Sequence, residues 1–101
     1  KYVSAYGAAK AAVIHLTKIM ANEWARYGIN VNALAPGYIA TDMTRAVMAD
    51  EKNAAAVLKK ISLRRFGKPD DVAGAALFLV TDASRYITGA VIPVDGGMTI
   101  N

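Results

Sequence analysis

Apolar residues run through the first part of the chain without a proline, and they cover more than one stripe of a helix. Ala8, Ala9, Ala11, Ala12, Val13, Ile14, Leu16, Ile19, Met20 and Trp24 are apolar, while Lys18, Asn22, Glu23 and Arg26 keep part of the surface polar. The pattern predicts a helix over residues 5–27, with Ser4 as its N-cap and Gly28 as its stop. A helix this apolar is expected to be covered on two sides, by a sheet on one and a second subunit on the other. Trp24 and the single histidine, His15, read as packing or interface residues. Residues 29–35 are then a short, mostly apolar run ahead of Pro36-Gly37, which reads as a buried strand. Asn32 is awkward in such a strand and is expected to bond to a nearby loop or backbone.

Residues 43–61 are helical in period but broken at Asp50-Glu51, where a short helix gives way to a second one. Such a paired insertion after a strand resembles a lid. Residues 63–69 read as a loop, punctuated by Gly67 and Pro69, before a helix that starts near Asp70 or Asp71 and runs to about Thr81. The stretch 72–80 is so uniformly apolar or small that deep burial is expected. A turn over residues 82–85 leads to a second strand over residues 90–95, closed by Gly96-Gly97. The order is that of an α/β chain, and strand, crossover helix and strand imply a parallel, right-handed connection. Two parallel strands are not a self-sufficient sheet. The chain is therefore expected to be the end of a larger domain, or to complete itself by association.

Composition narrows the function classes. Of 101 residues 54% are apolar, and the mean hydropathy is +0.25, yet no apolar run reaches the roughly 18 to 20 residues of a membrane span. Lys1-Tyr2-Val3-Ser4 shows no signal-peptide pattern, so a cytoplasmic protein with no membrane partner is expected. There is no cysteine and one histidine, which excludes disulfides and leaves few ligands for a metal, so no metal site is expected. The net charge of +4 is spread along the chain, with one cluster at Lys59, Lys60, Arg64 and Arg65. Without a basic helix face or an aromatic stacking platform, nucleic acid is not an expected partner.

Candidate chemistry begins at Ser4-Ala5-Tyr6-Gly7-Ala8-Ala9-Lys10. In a helix, Tyr6 and Lys10 lie on one face. A tyrosine holds its proton to about pH 10, and a neighbouring cation favours the phenolate, so Tyr6 can act as a general acid/base. Chance produces this spacing easily, and it gains meaning from the residues downstream of it. In open α/β sheets ligands sit beyond the carboxyl ends of the strands, which points to the loop over residues 36–43. Thr41 offers a hydroxyl there, and Thr41-Asp42 also fits the N-cap of the next helix.

Four blocks in order carry a resemblance. Tyr6 and Lys10 as Y-x-x-x-K come first, then Asn32-Ala33-Leu34-Ala35-Pro36-Gly37 with Thr41. Arg65-Phe66-Gly67-Lys68-Pro69-Asp70-Asp71-Val72-Ala73 is the third, and Ile87-Thr88-Gly89 with Val94-Asp95-Gly96-Gly97 closes the series. Together they resemble the C-terminal part of a short-chain dehydrogenase/reductase. The resemblance implies the last two strands, with their helices, of a Rossmann-type doubly wound parallel sheet, at the edge that binds the nicotinamide end of NAD(H) or NADP(H). It implies Tyr6 as proton donor and acceptor and, with Lys10, as part of the cofactor site, Lys10 being the residue that holds the ribose hydroxyls and lowers the Tyr6 pKa. Pro36, Gly37, Ile39 and Thr41 match the loop along the nicotinamide, Ile39 through backbone and Thr41 through its hydroxyl. Residues 1–101 would be the C-terminal segment of a single NAD(P)-binding domain. The family's phosphate loop and its active-site asparagine and serine precede the Y-x-x-x-K, so this polypeptide alone is expected not to turn over.

Within the family, Pro36-Gly37-Tyr38-Ile39 with Thr41-Asp42-Met43-Thr44-Arg45-Ala46 looks most like 3-oxoacyl-acyl-carrier-protein reductases, NADPH enzymes of fatty acid biosynthesis that work as tetramers. The same stretch is similar to sugar-acid dehydrogenases of the gluconate and deoxygluconate type. The first reading is preferred here, with a small-molecule or acyl-carrier-protein-bound carbonyl as substrate. Arg26, Arg45, Lys59 and Lys60 would be docking points for an acidic carrier. A non-catalytic fragment that only self-associates is the remaining alternative.

Overall fold

A computed structural model describes residues 3–98; within its first helix the side chains of residues 3, 4 and 6 lie outside the description. The chain divides into two compact units, Lys1–Ala33 with Leu79–Ile92 and Leu34–Phe78 with Pro93–Asn101. The elements in order are helix α1 (Val3–Trp24), strand β1 (Ala33–Pro36), helices α2 (Arg45–Ala49), α3 (Glu51–Lys60) and α4 (Pro69–Leu79), and strand β2 (Val91–Val94). β1 and β2 form a two-stranded sheet. Ala33 N–H donates to Ala90 O at 2.9 Å and Gly37 N–H to Val94 O at 3.0 Å, a constant offset that makes the pair parallel. The α/β class and the last-strands-with-helices architecture expected from sequence are what the structure shows.

In the first unit, α1 tightens into a single 3₁₀ turn over Ala25–Tyr27 and stops at Gly28, whose φ of 74° is left-handed and whose N–H bonds Ala25 O at 2.9 Å. A side chain with a Cβ would be disfavoured in that conformation, so the glycine ends the helix. Ser4 is not the N-cap expected, because the backbone is already helical at Val3. The covered stripe of α1 is narrow: Thr17 and Ala21 are buried, with Lys10 and Ile14 half-buried on the same face. Thr17 satisfies its own hydroxyl by donating to Val13 O at 2.7 Å. Ala21 stands against Gly89, where an added Cβ would be 3.5 Å from the alanine methyl.

The first strand is shorter than the expected span of residues 29–35, and the asparagines are the reason. Asn30 Nδ2 donates to Arg85 O at 3.0 Å, and Val31 N–H to Thr88 Oγ1 at 3.0 Å. Asn32 holds the segment before β2 from both sides, with Nδ2 to Ile87 O at 3.2 Å and Oδ1 accepting from Ala90 N–H at 3.0 Å. Apart from one backbone bond, from Gly89 N–H to Val31 O at 2.7 Å, side-chain anchoring stands in for ladder pairing until Ala33, and it includes the loop and backbone bonding expected of Asn32.

In the second unit, the break between α2 and α3 falls where the sequence placed it. Asp50 caps α3, its Oδ1 accepting from Lys52 N–H at 3.0 Å and Asn53 N–H at 3.3 Å. Ile61, 1% exposed, ends this helical pair as the core residue of the unit, lying where a Cβ on Gly96 would come within 2.8 Å of its Cγ2. Pro69 opens α4 at the first helical position, where its missing N–H costs nothing.

Two burial expectations are corrected. Residues 72–80 are not deeply buried: Leu77 is 65% and Val80 79% exposed. α1 is covered on one side only, with Leu16 at 52% exposure, Trp24 among the exposed large residues and His15 exposed. The physical reason is supply. Two four-residue strands make too small a sheet to cover the apolar faces of α1 and α4, and much of each stays in water. Among the described residues no helix is long and apolar enough to cross a membrane.

Candidate functional site

The loop that leaves β1 is held at several backbone positions. Gly37 closes the sheet through its N–H, and there is no room for a side chain: a Cβ would lie 2.7 Å from Asp95 Cβ and 3.0 Å from Asp95 Cα. Residues 38–40 then pair with Gly67 as an isolated parallel bridge. Gly67 N–H donates to Tyr38 O at 2.9 Å and Ala40 N–H to Gly67 O at 2.8 Å. Because successive peptide groups of extended chain face opposite ways, the Ile39 N–H and C=O lie on the other edge. Thr44 Oγ1 donates to Ile39 O at 2.6 Å and accepts from Thr41 N–H at 2.9 Å. The Ile39 N–H donates to none of the described residues, and is left as a donor beyond the carboxyl end of β1.

Thr41 is the N-cap residue of a 3₁₀ turn over Asp42–Thr44 that leads into α2, so the capping expectation for Thr41-Asp42 holds. Thr44, absent from the residues expected at the site, is what locks the loop. The only advance sign of it was the pair of threonines three residues apart, a spacing suited to a reciprocal cap.

An open cavity of about 540 Å³ lies beside the loop in the second unit, bounded among others by Tyr38, Ile39, Arg65, Asp71 and Asp95. Arg65 Nη1 donates to Asp71 Oδ2 at 3.1 Å. Hydrogen bonding from Arg65, and next from the Lys68 N–H, holds the Asp71 carboxyl below its ordinary pKa, and the same contact raises that of Arg65.

Pro36, Gly37, Ile39 and Thr41 thus stand together in one loop of the second unit. Tyr6 and Lys10 belong to α1, one turn apart, in the first unit. Lys10 is half-buried on the covered stripe; the Tyr6 phenol lies outside the described side chains. Of the cations expected to dock a carrier, Arg45 pairs with Asp42 and Arg26 lies over the Tyr27 ring at 4.8 Å. Lys59 and Lys60 occupy the last turn of α3, where they complement the helix dipole. Among the described residues there is no group of histidine and carboxylate side chains that could hold a metal.

The family model described as enoyl-(acyl carrier protein) reductase matches residues 1–99. A 2-dehydro-3-deoxy-D-gluconate 5-dehydrogenase of Pseudoalteromonas atlantica is 50% identical over 94% of this chain and 37% of its own length. A 3-oxoacyl-[acyl-carrier-protein] reductase of Synechocystis is 52% identical over 94% of this chain and 37% of its own. The solved structure of a 4-hydroxyisoleucine dehydrogenase complexed with NADH superposes with a TM-score of 0.93 at 36% identity, covering 97% of this chain and 40% of that one. The chain spans about two fifths of the length of these relatives. With the parallel strand pair, the glycine-closed loop and the ordered motifs all in place, the chain belongs to the short-chain dehydrogenase/reductase family.

Proposed function

We propose that this chain forms the nicotinamide side of an NAD(P)(H)-dependent oxidoreductase that interconverts a carbonyl and an alcohol, as the C-terminal segment of one NAD(P)-binding domain. The observation that carries the reading is the Ile39 N–H, which donates to none of the described residues while the Ile39 C=O is held by Thr44 and the peptide groups on either side by Gly67. That is the arrangement a planar amide ligand such as a nicotinamide carboxamide requires. The cofactor supplies or accepts the hydride. Tyr6 gives a proton to, or takes one from, the substrate oxygen. Lys10 holds the ribose hydroxyls and favours the phenolate by its charge. Pro36 and Gly37 shape the loop, and Thr41 adds a hydroxyl.

For the substrate, the sequence motifs favoured an acyl-carrier-protein thioester over a sugar acid, and the relatives support the sugar-acid alternative somewhat better. 2-Dehydro-3-deoxy-D-gluconate 5-dehydrogenases stand ahead of the 3-oxoacyl reductases among them. The intramolecular engagement of Arg45 and Arg26 also weakens a docking face for an acidic carrier. A sugar-acid alcohol is therefore the proposed substrate, and a β-keto thioester the second. The complete enzyme is expected to show a kcat/KM at least about tenfold higher for deoxygluconate-type substrates than for β-keto thioesters with NAD(H) or NADP(H). The opposite ranking would restore the carrier-protein reading, and no NAD(P)-linked turnover of either class would end the oxidoreductase reading.

The apolar faces left open on α1 and on α4 support a homo-oligomer, here proposed as a cytoplasmic tetramer. Sedimentation at micromolar concentration is expected to show an assembly larger than a dimer. A folded monomer alone would overturn it.

A further inference from the structure

Residues 64–67 turn the chain between α3 and α4 in a conformation that needs holding. Arg64 has a φ of 57°, a left-handed backbone that a Cβ disfavours. The Asp71 carboxylate, in the first turn of α4, secures the residues after Arg64. Its Oδ2 accepts from Arg65 Nη1 at 3.1 Å and from Lys68 N–H at 2.7 Å, and its Oδ1 faces Arg65 Nη2 at 3.5 Å. Arg65 Nη1 also donates to Phe66 O at 3.2 Å. One carboxylate thus ties down both ends of residues 65–68. The Phe66 ring meets Tyr38 edge to face at 6.4 Å, and Gly67, between the tied ends, makes the bridge to residues 38–40. That bridge fills one edge of the loop and aims the Ile39 N–H from the other.

We propose that Arg65 and Asp71 are positioning residues for the loop over residues 38–41: acting through Gly67, they set where the Ile39 N–H stands and so tune cofactor affinity without touching the cofactor. The ligand half of this inference rests on the oxidoreductase reading above, whereas the mechanical half does not. The pair is partly exposed, at 53% and 36% of its side chains, so its contribution to global stability is small and its effect is local.

In the complete enzyme, Arg65→Ala is expected to raise the cofactor KM about fivefold while kcat stays within about twofold. Hydrogen exchange at the Gly67 and Ala40 amides quickens by about fivefold, while amides inside α3 keep wild-type protection. Arg65→Lys keeps the charge but not the two-pronged fork, and recovers only part of both effects. Unchanged cofactor KM in an active enzyme overturns the affinity half. Unchanged exchange at Gly67 and Ala40, or an equal rise across α3, overturns the mechanical half. If the wild type shows no NAD(P) binding or turnover, the oxidoreductase reading falls, and the exchange data still decide whether Arg65 holds the loop.

Discussion

Tyr6→Phe is expected to lower kcat of the complete enzyme by about 10³-fold, the middle of the range that a positioned general acid/base contributes. The substitution removes one oxygen and leaves the ring. Position 6 falls inside α1, one turn before Lys10, and phenylalanine and tyrosine have nearly the same helix propensity. The thermal midpoint is therefore expected to stay within about 2 °C, since a change of 1 kcal/mol would be needed to move it by several degrees. Cofactor affinity should also hold, because the ribose hydroxyls are assigned to Lys10. This separation makes the experiment decisive: a large loss of kcat at constant stability and constant cofactor affinity has no structural explanation other than loss of the proton carrier. Activity within about tenfold of the wild type would remove Tyr6 from that role.

Much of the fold was legible because its signals are local. Gly28 stops α1 through its own φ, and Asp50 restarts the chain as α3 through its own carboxylate. Pro69 with Asp71 marks the start of α4 in the same way. The misread segments depended on partners remote in sequence. Residues 29–32 carry a strand's composition, yet their polar groups are taken by residues 85–90, which no local period reveals. The apolar run 72–80 shows what those residues would tolerate, not what covers them, and in this chain much of its surface stays open.

The candidate site divides along the same line. The loop over residues 36–43 was singled out because it follows a strand end, and Pro36, Gly37, Ile39 and Thr41 were named within it by the family resemblance. Thr44 and Gly67 were not, because they act on the loop through backbone atoms: a hydroxyl on the Ile39 carbonyl, and a two-bond bridge beside it. The Arg65 to Ala73 motif was visible as a block. Only the geometry shows that its arginine and second aspartate close a clasp on the glycine between them.

Gly37→Ala is expected to destabilise the protein by about 2–4 kcal/mol, combining overpacking with the loss of one sheet hydrogen bond. The added methyl would meet Asp95 at its Cβ (2.7 Å) and Cα (3.0 Å), atoms that cannot rotate away. Relief requires the carboxyl ends of β1 and β2 to part, which breaks the bond from Gly37 N–H to Val94 O. The glycines elsewhere provide the contrast. At Gly67 the one close approach of a Cβ would be to Ile39 Cδ1 at 2.6 Å, the free end of a flexible side chain, with Tyr38 O and Asp71 Oδ2 at ordinary contact distance, and at Gly74 nothing lies within 4 Å. Gly74→Ala, inside α4, is accordingly expected to stabilise by up to about 1 kcal/mol through helix propensity. Denaturant unfolding of both variants reads the difference directly. A Gly37→Ala protein within about 0.5 kcal/mol of wild type would mean that the sheet end yields easily. In that case the loop's placement would have to come from the Gly67 bridge and Thr44 alone, because the close approach of Gly37 to Asp95 would no longer constrain where Ile39 begins.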